Sequence, residues 1–150
     1  MTPRWTLVLP AAVLLAAGCG PDPVPSAAGI APLSGREIYL SRCASCHQAD
    51  GSGVPGLCAP FASSPRLSGP PEKLIRIMLL GMKGSQTRDG VTYRGVMPSW
   101  RFDLTDEQIA SVLNDIRSRW SPSAPPIPPD LVTGIRAETL GDRLFPPPEG

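Results

Sequence analysis

Cys43-Ala44-Ser45-Cys46-His47 decides how this chain is read. Two thiols three positions apart can each reach one vinyl group of a haem and form thioether bonds, and the adjacent histidine then faces the iron as an axial ligand. His47 is the only histidine in the chain. Three other uses of such a pentapeptide fit less well. A redox-active Cys-x-x-Cys pair belongs beside a βαβ pattern, and no convincing strand is predicted anywhere in the sequence. A structural disulfide gives His47 no role. A zinc site built from Cys43, Cys46, His47 and Cys58 would need the adjacent Cys46 and His47 side chains to converge on one tetrahedral ion, and no second close pair exists.

Outward from the pentapeptide, proline marks the limits of the folded region. Of 20 prolines, six fall in residues 1–33, eight in 121–150 and six in the 87 residues between. Because proline removes a helical donor and clashes with the preceding turn, this distribution predicts a folded middle at 34–120 between two extended arms. Residues 1–18 read as an export signal: Arg4 gives the positive end, and Leu7 to Ala17 form an apolar run shorter than the about 20 residues a spanning helix needs. The run ends in Leu15-Ala16-Ala17-Gly18-Cys19, similar to a bacterial lipoprotein signal in which lipid is attached to the cysteine, here Cys19; the alternative is an ordinary secretory signal that happens to contain a cysteine. Residues 19–33 then form a Pro-rich tether that would hold the domain off a membrane surface. This places the protein outside the cytoplasm, on the periplasmic side of a bacterial membrane.

Within 34–120 the reading is all-α. Ser34 and Glu37 make a capping box, predicting a helix from about Gly35 to Cys43 with Ile38 and Tyr39 inward. Residues 48–69 read as a long Gly/Ser/Pro-rich loop, uncommon in a small domain unless it wraps something. Pro70-Pro71-Glu72 opens a second helix with Leu74, Ile75, Met78, Leu79 and Met82 as its apolar face, ended by Gly81 or Gly84. Residues 84–103 read as a second loop. Thr105 and Gln108 form another capping box, and Ile109, Val112, Leu113, Ile116 and Trp120 follow at helical spacing. Residues 130–143 allow a short peripheral helix within the extension 121–150. Three helices offer little apolar surface for two long loops, so a large apolar body in the centre would help the domain pack.

An iron that only carries electrons is six-coordinate, and with one histidine the sixth ligand has to be another group. Met1 leaves with the signal, and Met78 and Met82 sit on a helix stripe where core packing is the ordinary role. Met97 lies in Gly95-Val96-Met97-Pro98-Ser99-Trp100, where Pro98 pushes it toward extended geometry on a stiff loop. Met97 is therefore the expected sixth ligand. A Met/His pair raises the reduction potential.

Residues 34–120 resemble the class I cytochrome c domain of bacterial electron-transfer proteins. The resemblance is carried by Gly35 to Tyr39, Cys43 to His47, Asp50 to Gly56, Val96 to Trp100 and Leu104 to Ile109. It implies a small helical fold, three to five helices around one covalently bound haem c, in which the first and last helices cross with Gly35 and Tyr39 against Leu113 and Ile116. It also implies Cys43 and Cys46 as attachment points, His47 and Met97 as axial ligands, and the Pro60 carbonyl as acceptor for the His47 ring N–H. Cys58 departs from the pattern, standing where an apolar residue is expected; its ordinary role would be that of a buried small hydrophobe.

The expected function is single-electron transfer to or from a redox protein such as a dehydrogenase, reductase or oxidase. No nucleic acid and no small-molecule substrate is implied, and the net charge of +1 fits neither a polyanion binder nor an acidic tail. Seven basic residues between 66 and 101 (Arg66, Lys73, Arg76, Lys83, Arg88, Arg94, Arg101) face only Glu72 and Asp89 in sequence; they form either a steering face for an acidic partner or a generally solvated surface. A haem with an open sixth site, binding a gas or reducing peroxide, is the enzymatic alternative, and a redox-inert tether or assembly subunit is the structural one.

Overall fold

The computed structural model describes residues 32–62 and 64–144, together with Met1. The export signal, Cys19 and nearly all of the tether lie outside the described residues. The compact unit that holds the site begins at Pro32.

Its first element is α1 (Gly35–Ile38), capped as expected: the Ser34 amide donates to Glu37 Oε2 at 2.8 Å and the Glu37 amide to Ser34 Oγ at 3.3 Å. The rod does not stop at Cys43. It widens into a π-helical stretch, Tyr39–Cys43, in which the Ala44 amide donates to the Tyr39 carbonyl, and continues as α2 (Ala44–His47). A one-residue π insertion turns everything after it by about 100°, the angle one residue subtends at 3.6 residues per turn. Gln48 ends the rod with φ 59, an unusual conformation for a side chain with a Cβ, and its carbonyl accepts the Tyr39 hydroxyl at 2.5 Å. Tyr39 itself is fully buried, and that burial pushes its phenol up to about 12.

Residues 48–62 fold back toward the rod, the Gly53 amide donating to the His47 carbonyl at 3.1 Å, and α3 (Pro65–Ser68) is a single helical turn inside the stretch expected to be loop. Next comes α4 (Pro71–Leu80), with Pro71 in its first turn and Gly81 at φ 71 closing it. It buries Leu74, Ile75, Met78 and Leu79.

The expectation of an all-α domain needs correction between residues 82 and 97. Four short strands lie there: β1 (Met82–Lys83) pairs antiparallel with β4 (Val96–Met97), and β2 (Gln86–Arg88) with β3 (Val91–Tyr93). Asp89 and Gly90, at φ 50 and 76, form the turn of the inner hairpin. Two consecutive residues with positive φ are what a two-residue hairpin of matching twist requires, and Asp-Gly supplies them.

α5 (Asp106–Trp120) carries the second capping box as expected, with the Thr105 amide 3.0 Å from Gln108 Oε1. It crosses α1 where Gly35 meets Ser111: a Cβ on Gly35 would lie 2.1 Å from the Ser111 carbonyl oxygen, so the helices approach this closely only because that position is glycine. Ile38, Tyr39, Ile75, Leu79, Ile109, Val112 and Leu113 fill the space between α1, α4 and α5. From Trp120 to Thr139 the chain stays packed, with Ser121, Ile127, Val132, Ile135 and Thr139 buried. α6 (Pro129–Glu138) lies on α4 and α5 and contributes Val132 and Ile135 to the core, with Ile127 just before it. A polar clasp holds it: Arg136 Nε reaches Asp106 Oδ1 at 2.7 Å, and the buried Arg101 donates to the Thr139 carbonyl at 3.0 Å. Two of the seven basic residues between 66 and 101 are engaged in holding this end of the chain. Arg101 is consumed by the clasp, and Arg76 pairs with Glu138 and Asp142 at 3.0 and 3.4 Å. Among the described residues no helix is long and apolar enough to cross a membrane.

Candidate haem-binding site

A cavity of about 410 Å³ opens between α2, the folded-back segment, α4, α5 and the β1–β4 ladder. That volume falls within the range of pockets that hold cofactors, roughly 300–1,000 Å³. Its lining brings together every residue assigned from the sequence to the iron and its attachment: Cys43, Cys46, His47, Pro60 and Met97. Leu67, Leu74, Ile77, Leu113 and Ile116 supply apolar wall.

Each of these side chains is placed by a local feature. The π stretch turns Cys43 inward, where it is buried, and leaves Cys46 exposed at the edge. Cys43, Cys46 and Cys58 form no disulfide among the described residues. His47 ends α2. Its ring stacks on Phe61 with centroids 4.4 Å apart and planes 14° apart, and Phe61 in turn packs against Trp120 at 5.1 Å and Tyr39 at 6.3 Å. Burial pulls the His47 imidazole down to about 4, so at neutral pH it presents a neutral nitrogen, the form a metal requires. Met97, half-buried, sits in β4 opposite Met82 of β1. The loop after it is bound to the end of α4: Ser99 Oγ donates to the Leu79 carbonyl at 2.7 Å, and the Trp100 amide to the Met78 carbonyl at 2.8 Å. Met78 and Met82 also line the cavity.

The residues present fit a covalently held haem. The two thiols, one neutral imidazole and a thioether all lie on one cavity whose remaining wall is mostly apolar. Among the described residues no group of three or more His, Cys, Asp or Glu side chains is arranged to hold a bare metal ion. Leu57 and Val96 line the cavity while remaining 44% and 60% exposed, so one edge opens to solvent.

Sequence reasoning missed three features of this site. The ring partner Phe61 lies in a segment without periodicity, so no local signal marks it. Cys58 is not simply a buried hydrophobe: it is half-buried and its Sγ lies 3.1 Å from His47 Nδ1. The Pro60 carbonyl, which the resemblance sets against the His47 ring, accepts Arg88 Nη1 at 2.9 Å; Arg88 comes from the β2 strand of the unexpected hairpin.

Comparison with known proteins agrees with this geometry. Cytochrome c-552 of Thermus thermophilus is 40% identical over 95 residues, covering 61% of this chain and 63% of that protein. The gluconate 2-dehydrogenase cytochrome c subunit of Pantoea cypripedii is 36% identical over 95 residues, 61% of this chain and 21% of the subunit. The cytochrome c subunit of the quinone alcohol dehydrogenase of Gluconobacter oxydans is 32% identical over 93 residues, 61% of this chain and 19% of the subunit. The chain thus spans less than two thirds of the cytochrome c-552 and about a fifth of the dehydrogenase subunits. Residues 31–114, more than half of the chain, match the family described as cytochrome c oxidase, cbb3-type, subunit III. With a Cys-x-x-Cys-His pentapeptide on a cavity of cofactor size, the chain belongs to that family of c-type cytochrome domains, and its cofactor is covalently bound haem c.

Proposed function

We propose that this protein is a single-electron carrier of the His/Met type, working with a dehydrogenase or another redox enzyme outside the cytoplasm. The observation that carries the reading is the convergence of Cys43, Cys46, His47 and Met97 on one cavity with an open edge. Bound haem supplies one iron that alternates between the ferric and ferrous states. The chain would do the rest. Cys43 and Cys46 would tether the group, His47 and Met97 would be its iron ligands, and the apolar wall would keep water from the interior. The naming of two similar proteins as dehydrogenase cytochrome subunits favours a dehydrogenase as partner.

Carbon monoxide tests the carrier reading against the gas-binding one. A ferrous iron with both axial positions filled should bind carbon monoxide slowly and incompletely. Rapid, complete formation of the carbonyl adduct, read from the Soret band, would show an open sixth site and overturn the reading.

We further propose that Cys19 carries lipid and anchors the protein on the periplasmic side. The small-residue run ending in Cys19 supports this. The full-length protein expressed in a bacterial host should partition into the detergent phase on cloud-point extraction, and Cys19→Ser should move it to the aqueous phase. Aqueous partition of the unaltered protein would refute the anchor.

A further inference from the structure

Cys58 is held on purpose-built backbone. Val54 and Cys58 form an isolated antiparallel bridge, the Val54 amide donating to the Cys58 carbonyl at 2.9 Å and the Cys58 amide to the Val54 carbonyl at 2.8 Å. Gly53, at φ 69, lies against this bridge; a Cβ there would come 2.3 Å from the Cys58 carbonyl oxygen. The same turn is tied to the rod, because the Gly53 amide donates to the His47 carbonyl at 3.1 Å. The backbone of Cys58 is therefore set relative to His47 through one turn, bridged to Cys58 at Val54 and bonded to the His47 carbonyl at Gly53, and its Sγ lies 3.1 Å from His47 Nδ1 and 3.8 Å from the Ala59 carbonyl.

We propose that Cys58 is a positioning residue for the axial histidine, its thiol accepting the His47 Nδ1–H while its own S–H points to the Ala59 carbonyl. The proposal rests on His47 being the axial ligand. An imidazole that binds iron through Nε2 carries its proton on Nδ1, and that proton needs an acceptor that also fixes the plane of the ring. Phe61 stacks on one face of the ring but offers Nδ1 no hydrogen bond. Neutral sulfur is a weak acceptor. It leaves the imidazole less basic than a carboxylate or a strong carbonyl acceptor would, and a less basic ligand favours the ferrous state. A side chain at this position makes the tuning open to substitution, which a main-chain carbonyl would not allow.

The test uses the haem-loaded protein and two readouts: the reduction potential, and the exchange of the His47 ring N–H with deuterated solvent followed by proton NMR. Covalent haem is first checked in the unaltered protein by its alkaline pyridine spectrum; its absence would sink the attachment reading, whereas the variants address Cys58. In Cys58→Asp the ferric-to-ferrous ratio at a fixed ambient potential should rise about tenfold, equivalent to about 59 mV for a one-electron couple. Cys58→Ala should shift the ratio the opposite way and speed the ring N–H exchange. Cys58→Ser, which keeps an acceptor of similar size, should return both readouts close to those of the unaltered protein. If Cys58→Ala and Cys58→Asp both leave potential and exchange unchanged, a main-chain carbonyl such as that of Pro60 holds the ring and the proposal is overturned. Equal shifts in Ser and Ala with unchanged exchange would also overturn it, since they would reflect packing alone.

Discussion

Replacing both attachment thiols, Cys43→Ala with Cys46→Ala, is expected to abolish the covalent haem and with it the folded domain. Each thioether is one bond, but the consequence reaches the whole core. The cavity of about 410 Å³ is walled by Leu67, Leu74, Ile77, Leu113 and Ile116, which belong to α3, α4 and α5. At about 24 cal/mol per Å³ for a closed cavity, leaving that space empty costs at most on the order of 10 kcal/mol, and water entering through the open edge reduces this. A cost of that size is comparable to the whole net stability of a domain, roughly 5–15 kcal/mol. The helices can recover it only by collapsing inward, which the Gly35–Ser111 crossing and the Arg101–Thr139 clasp oppose. The double variant should therefore show little native helical circular dichroism and no absorption at the haem bands after denaturing electrophoresis. The single variants should separate the two positions. Cys43 is buried against the core and Cys46 is exposed, so losing the Cys43 bond should cost more thermal stability than losing the Cys46 bond. A double variant that retains a cooperative thermal transition at the temperature of the unaltered protein would contradict this account.

The parts of this fold that were legible in the sequence share one property: their cause is local. The caps at Ser34 and Thr105 read correctly because a capping box joins residues three apart, and both are made in the structure. α4 was legible because Pro71 and Gly81 punctuate it at either end, but Met82, expected on its apolar face, lies past the Gly81 cap in β1. The haem cofactor was legible because the chemistry of a Cys-x-x-Cys-His pentapeptide is set by spacing alone. What escaped depends on partners distant in sequence. β1 and β4 are two residues each, too short for any alternation to show, and they exist only because Met82 and Met97 meet across the hairpin between them. Asp89-Gly90 does carry a turn signal in the sequence, but the flanking strands of three residues give it no periodic support. The π stretch has no composition that marks it. The packing of α6 depends on Arg101, Arg136 and Thr139, separated by up to 38 residues. Cys58 is the plainest case: its meaning lies entirely in the nitrogen 3.1 Å away, on a residue 11 positions earlier.

The second large effect concerns the sixth position. Met97→Ala should remove the weak red-region band of methionine-ligated ferric haem and lower the reduction potential on the order of 0.1 V, a fraction of the roughly 0.8 V over which axial ligands set haem potentials. It should also open the ferrous protein to rapid carbon monoxide binding. The structure makes the controls pointed, because three methionines line the same cavity. Met78 is buried on α4, where its neighbours Leu74, Ile75 and Leu79 hold it as core. Met82 lies directly opposite Met97 in the β1–β4 ladder and is the nearer rival. Two features set Met97 apart. Pro98 follows it and stiffens its backbone, and the next two residues are bonded to the Leu79 and Met78 carbonyls, anchoring the loop to the end of α4. A ligand on an anchored segment keeps its place in both oxidation states, which lowers the rearrangement each electron transfer demands. Met78→Leu and Met82→Leu, which conserve volume and cost less than about 1.5 kcal/mol when well accommodated, should keep the red band and the high potential. If Met82→Leu loses the band while Met97→Ala keeps it, the sixth ligand comes from β1, and the stiff-loop argument for Met97 fails.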